Sequence, residues 1–369
     1  MTPALGTHKS RASKSKMEKF MVELRWERYP ILSSIEIARV WLQIQANLGL
    51  APNTIEAYGR ALESYFVFSR GCKADVLTAT REHVSRYVRD LSSRRDPRRP
   101  RVVVIDSGMG LANATLQQRL TAVRLFYDHL IEEGMRTTNP VGRGRYTPGK
   151  GFAGIRERGL IPRFSKLPWI PSDIQWQAVL DAARSGPVRN RLMLSLAYDS
   201  ALRREELCSL HTSDVDPAHS MLTIRAETTK SRQGRVVPFS RSTAALLSLY
   251  LQGRRKLTRS RGPLFVSESR RNYGKPISIW TWSKIVREIA RRSGVSEFTT
   301  HSLRHLCLTD LARADWDIHE IATFAGHRSI QTTLIYIHLS GRDLARKLAC
   351  GMTQIHEWRS QMIKETLLE

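Results

Sequence analysis

The sequence predicts a mainly α protein with a small β-sheet, an α+β chain whose N-terminal helical bundle precedes a mixed helix and strand domain. Three observations carry this. Apolar residues recur at three- and four-residue steps from Ile35 to about Pro140, the period of helices with one buried face. Met221-Leu222-Thr223-Ile224 and Val236-Val237-Pro238-Phe239 read as short strands inside an otherwise helical second half. Between the halves, residues 144–168 are rich in Gly, Arg, Lys and Pro and poor in core-forming side chains, the composition of a linker.

The elements follow in order. Residues 1–34 form a basic arm carrying Lys9, Arg11, Lys14, Lys16 and Lys19 among small polar residues. In the first domain, 35–143, Ile37, Val40, Trp41, Ile44 and Leu48 make one apolar stripe. Pro52-Asn53-Thr54 opens a second helix, continued by Ala57, Tyr58, Ala61, Leu62, Tyr65 and Phe66. A third spans Glu82 to Leu91, and a fourth follows Asn113 with Leu116, Leu120, Val123, Phe126, Tyr127 and Leu130 on its buried side. Prolines 97 and 100 make the arginine-rich stretch 94–101 a loop. In the second domain, 169–349, a mostly apolar helix runs from Asn190 to Leu202, and a basic turn, Thr229 to Arg235, joins the two strands. Residues 350–369 form a separate amphipathic tail.

Charge narrows the partner. Lys and Arg outnumber Asp and Glu by 59 to 34, a net charge of +25. Such a surplus opposes compaction unless something anionic neutralises it, and nucleic acid is the usual partner. No stretch approaches the roughly 20 apolar residues that span a bilayer. Cys72, Cys208, Cys307 and Cys350 are scattered without a CxxC pair, so neither a zinc ribbon nor a disulfide framework is indicated and a reducing cytoplasm is expected.

Four separated pieces of the second domain carry chemistry: Leu202-Arg203-Arg204-Glu205-Glu206, Thr229-Lys230-Ser231, His301-Ser302-Leu303-Arg304-His305, and Gly326-His327 followed nine residues later by Tyr336. Guanidinium forks match phosphate oxygens, and His301 and Arg304 stand three apart on one helix. Without paired carboxylates the set does not suit two-metal nuclease chemistry. His301 and His305 stand four apart, but the position after His301 is not the glutamate of a zinc-protease helix, so His305 reads as a packing or hydrogen-bonding residue. A tyrosine is about one part in a thousand phenolate at pH 7. Neighbouring cations and a histidine proton acceptor would activate it for attack on a phosphodiester.

In order and spacing these boxes resemble the tyrosine recombinase (phage integrase) family, over about Ile35 to Ala349. The resemblance implies a helical core-binding domain followed by a catalytic domain. It also implies site-specific cleavage and rejoining of double-stranded DNA, of integrase or transposase type, through a 3′-phosphotyrosine and a Holliday junction. Carried over, Arg203 and Arg304 would clamp the scissile phosphate and Lys230 would protonate the leaving 5′-oxygen. His301 would assist proton transfer, His327 would hydrogen-bond the phosphate, and Tyr336 would be the nucleophile. Glu206 matches a position read as structural. Neither a metal nor any other cofactor is implied. Expected partners are DNA, a homotetramer on two sites with the tail packing between subunits, and accessory directionality proteins, in a nucleoid-associated cytoplasmic setting. Thr54, Gln117, Arg119 and Arg124 are the candidate DNA contacts of the first domain, with a solvated helix face as the plain alternative. Many relatives carry Gly where this chain has Ala201, which bears on the local turn. A type IB topoisomerase-like enzyme or a non-catalytic DNA-binding regulator are the other readings; the latter need not retain nucleophile and clamps together.

Overall fold

The structure, a computed structural model, describes residues 24–93, 113–142, 161, 167–258, 260–339, 348–350 and 352–366. The chain divides into two compact units, Met1–Ser165 and Lys166–Glu369. The arginine-rich loop at 94–101 lies outside the described residues, as do the lysines of the arm and nearly all of the linker.

Among the described residues five α-helices build the first unit: α1 (Pro30–Ser34), α2 (Glu36–Asn47), α3 (Pro52–Gly71), α4 (Arg81–Ser93) and α5 (Asn113–Glu132). Proline opens both α1 and α3, where its missing N–H is one that no helix would satisfy. The core gathers Trp41, Leu42, Leu62, Tyr65, Phe66, Tyr87, Phe126 and Tyr127. It begins earlier than the expected arm boundary at 34, because Tyr29 and Leu32 are buried in it. Backbone N–H groups of Ile31 and Leu32 donate to the Glu63 carboxylate, so the orphan donors at the start of α1 are satisfied by α3. Gly59 makes this possible: a Cβ there would stand 2.7 Å from the Tyr29 ring.

The expected stripe on α2 is rotated. Ala38, Trp41, Leu42 and Ala46 are buried, while Val40 and Leu48 are exposed. Alanines let helices approach closely, and a reading that weights large side chains overlooks them.

In the second unit, α6 (Asp173–Arg184), α7 (Val188–Asp199) and α8 (Arg204–Cys208) precede a three-stranded antiparallel sheet of β1 (Val215–Asp216), β2 (Met221–Ile224) and β3 (Arg235–Pro238). Its register pairs Leu222 with Val237 and Ile224 with Arg235. Next come α9 (Arg241–Leu257), α10 (Ile279–Ser293), α11 (Thr300–Arg313), α12 (Ile318–Ala325), α13 (Leu334–Leu339) and α14 (Thr353–Thr366). Leu192, Met193, Leu196, Phe265, Trp282, Leu303 and Leu308 lie in the core, and Tyr336 belongs to the same cluster.

Two boundaries differ from expectation for local reasons. Helix α7 stops at Asp199 rather than Leu202, because Ala201 adopts φ +45 and turns the chain. Strand β3 starts at Arg235, one residue early, because Arg235 pairs with Ile224.

Candidate active site

The turn at Ala201 sets the first arginine. With α7 ended, Arg203 becomes the residue before α8, and the Glu206 carboxylate accepts from both its backbone N–H (2.9 Å) and its Nη1 (2.8 Å). Glu206 is 1% exposed and also accepts a two-pronged contact from Arg235, Nη1 at 3.1 Å and Nη2 at 2.8 Å. Burial alone would raise the Glu206 carboxyl. The Arg235 and Arg203 donors overcome it and hold the group down at about 2. A charge this deep is tolerable only with such full pairing.

The second arginine comes from α11. Thr299 caps this helix, exchanging hydrogen bonds with Ser302. Arg304 is 4% exposed, donating from Nη1 to Ala201 O (2.5 Å) and from Nη2 to Ala325 O (2.5 Å) and His327 Nε2 (3.0 Å). Three of its five N–H groups are used in these contacts and a further one bonds Tyr336, which leaves one for an anion. Burial and the nearby Arg203 push its pKa down to about 10, so the cluster holds a surplus of positive charge.

Helix α12 delivers His327. Gly326, the residue just past its end, takes φ +63, and Arg235 donates from Nε to Phe324 O (2.9 Å) two residues before it. A Cβ on Gly326 would meet Arg235 at 3.1 Å, so glycine serves both the turn and the close approach. Because a guanidinium only donates, His327 Nε2 is an acceptor. The ring proton therefore sits on Nδ1 and points to Thr333 Oγ1 at 2.9 Å. Burial and Arg304 hold His327 neutral, with its pKa pushed down to about 3.

On α13, Tyr336 is 3% exposed, with its ring stacked on His327 at 6.0 Å between centroids. Its hydroxyl lies 3.0 Å from His305 Nδ1. Burial raises the phenol's pKa, while Arg304 and Arg203 pull it back down. Tyr336, Arg304 and the imidazoles of His305 and His327 thus meet within one subunit.

Comparison with known proteins decides what this site belongs to. The family model described as "Phage integrase family" matches residues 172–342, and that described as "Phage integrase, N-terminal SAM-like domain" matches 38–134. This chain is a tyrosine recombinase of the phage integrase family. The recombinase is 28% identical over 248 residues to a tyrosine recombinase XerC from Thermodesulfovibrio yellowstonii, covering 64% of this chain and 74% of the relative. It is 26% identical over 327 residues to transposase A from transposon Tn554 of Staphylococcus aureus, covering 84% and 89%. Its fold is similar to that of the XerH site-specific recombinase bound to a palindromic difH substrate, with TM-score 0.62, 19% identity and 86% and 84% coverage. As a family member the recombinase is an enzyme of DNA cleavage and rejoining, acting in site-specific recombination.

Of the six catalytic candidates, Arg203, Arg304, His327 and Tyr336 come together directly. His301 lies on α11 with its residue exposed; burial of its ring lowers its pKa and Glu205 opposes that. Lys230 is exposed on the turn before β3, and among the described residues no hydrogen bond or ion pair joins it to the cluster. Arg235, the last residue of the same basic turn, is committed to Glu206. Sequence reasoning missed Thr333, which carries no signal beyond lying six residues after His327. His305, read from the sequence as a packing or hydrogen-bonding residue, bonds the Tyr336 hydroxyl, a partner that its position four after His301 does not reveal.

The candidate DNA contacts of the first unit are all half-buried. Gln117 donates to Ile161 O at 2.7 Å, Arg119 donates to Ser64 Oγ at 2.8 Å, and the Arg124 carbonyl accepts from Asn139. Thr54 lies in the first turn of α3. Among the described residues no helix is long and apolar enough to cross a membrane, and no group of three His, Cys, Asp or Glu side chains converges as a metal site.

Proposed function

We propose that the Tyr336 hydroxyl attacks a DNA phosphodiester held by Arg203 and Arg304, forming a 3′-phosphotyrosyl ester and releasing a 5′-hydroxyl. The observation that carries this is the meeting of Tyr336 with Arg304, Arg203 and His327 in one buried cluster whose only buried carboxylate, among the described residues of the site, is Glu206. Forked guanidinium groups suit a transition state whose charge spreads over the equatorial oxygens of phosphorus. The dianionic transition state neutralises the surplus charge that depresses Arg304. With an anion present His327 gives up its bond from Arg304, gains a proton, and Nε2 becomes a donor to the phosphate.

Lys230, on its exposed turn, closes onto the leaving 5′-oxygen and protonates it, with His301 assisting proton transfer. The tyrosyl ester retains the energy of the broken bond, so rejoining by an incoming 5′-hydroxyl requires no nucleotide and no metal. Both units contribute basic surface to a duplex, with Thr54, Gln117, Arg119 and Arg124 the first unit's contacts once their present partners yield. Four subunits then pair two sites and exchange strands through a Holliday junction, with accessory proteins setting direction. The exposed Ile355, Trp358 and Ile363 of α14 support tail packing between subunits. The enzyme works on DNA in the nucleoid.

A nicked suicide duplex tests the chemistry. Wild type becomes covalently attached to the 3′-phosphate and Tyr336→Phe does not; an adduct on the Phe variant would show the nucleophile to be another residue. Binding should fall on the order of a thousandfold between low and moderate salt if six to ten phosphates are contacted. A flat salt response removes the clamp.

A further inference from the structure

Resting on that reading, we propose that His305, rather than His301, is the group that takes the proton from Tyr336 as the phenol oxygen attacks phosphorus. The two histidines stand four apart on α11, and their rings are 6.3 Å apart. Only His305 reaches the phenol: its Nδ1 is 3.0 Å from the hydroxyl oxygen, and its ring lies 5.7 Å from the tyrosine ring. Its carbonyl accepts from Thr309 Oγ1 at 2.8 Å, which helps fix this stretch of helix. His301 is exposed and has Glu205 for company.

The hydrogen's direction follows from what surrounds the phenol. Arg304 is a donor only, so it bonds the phenol through an oxygen lone pair, while Arg203 acts on it through charge alone. The hydroxyl proton is left to point at His305 Nδ1, which places the ring's own proton on Nε2.

His305 is kept ready to accept. The charged and titratable groups facing it are His301 and Arg304 from its own helix, Tyr336 from α13, and His327 from the segment after α12. Burial first, then His301 and Arg304, push its pKa down to about 4, so it is neutral at physiological pH. Full transfer before attack would be uphill, so transfer accompanies O–P bond formation. The phenol O–H bond breaks and Nδ1–H forms. The Tyr336 O–P bond forms as the P–O5′ bond breaks, and the leaving oxygen receives a proton from Lys230. The imidazolium so made is offset by the phosphate's negative charge. In rejoining, His305 returns the proton to the departing phenolate.

The test is single-turnover cleavage of the suicide duplex between pH 6 and 9 by wild type, His305→Asn and His301→Asn. Asparagine presents an oxygen near the place of Nδ1, so it can aim the phenol but cannot take its proton. His305→Asn is expected to bind DNA as wild type does and to cleave slower by on the order of 10²–10⁴-fold. Its rate should rise about tenfold per pH unit, because phenolate must now form without a partner, while the wild-type rate stays level. A residue that only packs would depress the rate without changing that slope. A wild-type rate in His305→Asn overturns the assignment. So does a slow rate with a level profile, and so does a steep profile appearing in His301→Asn instead. If His305→Asn does not fold, as judged by thermal melting and DNA binding, His305→Ala, which likewise cannot take the proton, is read by the slope of its pH profile. Failure of wild type itself to form an adduct would strike the phosphotyrosine reading, not this assignment.

Discussion

Each unit buries a tyrosine hydroxyl, and the two are treated in opposite ways. In the first, Tyr65 and Tyr127 bond to one another at 2.7 Å, and Tyr127 also donates to Val76 O at 3.0 Å. Burial pushes Tyr65 up to about 12 and Tyr127 further still, with Arg136 alone of the charged groups opposing. In the second, Tyr336 is as deeply buried, but faces Arg304 and Arg203 and hands its hydroxyl to a neutral imidazole. Equal depth therefore leaves two phenols in different surroundings: the second unit has assembled a network of arginine, glutamate and histidine around Tyr336 where the first relies mainly on apolar and neutral polar contacts.

The largest break in this contrast is Arg304→Lys. It keeps the charge but loses the fork that reaches Ala201 O, Ala325 O and His327, so single-turnover cleavage should fall on the order of a hundredfold or more. DNA binding, carried by many phosphates, should weaken far less. Equal losses of binding and cleavage would mean that the fork serves affinity alone.

Next comes the buried carboxylate. Glu206→Gln leaves Arg235 and Arg203 without their counter-charge and should destabilise the second unit by about 3–5 kcal/mol, read as lost hydrogen-exchange protection there with little change in the first. Acid should separate the units in the same measurement. Three site histidines have folded pKa values below the ordinary 6.5, His305 near 4 and His327 near 3, whereas the first unit has one such group, His83. A depressed base takes its proton first in the unfolded chain, so this stability is complete above pH 6.5 and is lost as pH falls toward 4 and 3. Glu206, depressed from 4.5 to about 2, adds a loss below pH 4.5. The second unit should therefore lose protection first on acidification, and His327→Gln should soften that decline. Parallel decline of both units would contradict it.

A milder probe is Tyr65→Phe, which removes one neutral hydrogen bond and leaves Tyr127 its carbonyl partner. The cost should be about 1 kcal/mol in thermal melting, with cleavage per folded molecule unchanged. The smallest effect expected is that of Ala201→Gly. Relief of the left-handed backbone is worth about 1–2 kcal/mol, but glycine's extra unfolded freedom and the lost buried methyl oppose it by a similar amount. Stability should move by about 1 kcal/mol or less, and a larger change would mean that the turn carries strain elsewhere.

Much of the site was legible along the chain. Arg203, Arg304, His327 and Tyr336 were recognisable by type, order and spacing, and the helices by their apolar period, because both signals are local or nearly so. The rotated face of α2, the burial of Tyr29 over Gly59 and the early end of α7 were not, since each depends on what packs against the segment. The same holds for Arg235, an arginine like its neighbours in sequence until Glu206 claims it.

By itself the sequence determined a strongly basic, two-part helical protein whose arginines, histidines and tyrosine stand in the family's order. Only tertiary structure decided which histidine touches the phenol, which guanidinium groups keep donors in reserve and which carboxylate holds them. Those choices turn on distances of a few ångströms between segments up to 130 or so residues apart. Hydrogen bonding and desolvation act on that scale, and neither leaves a mark in residue order.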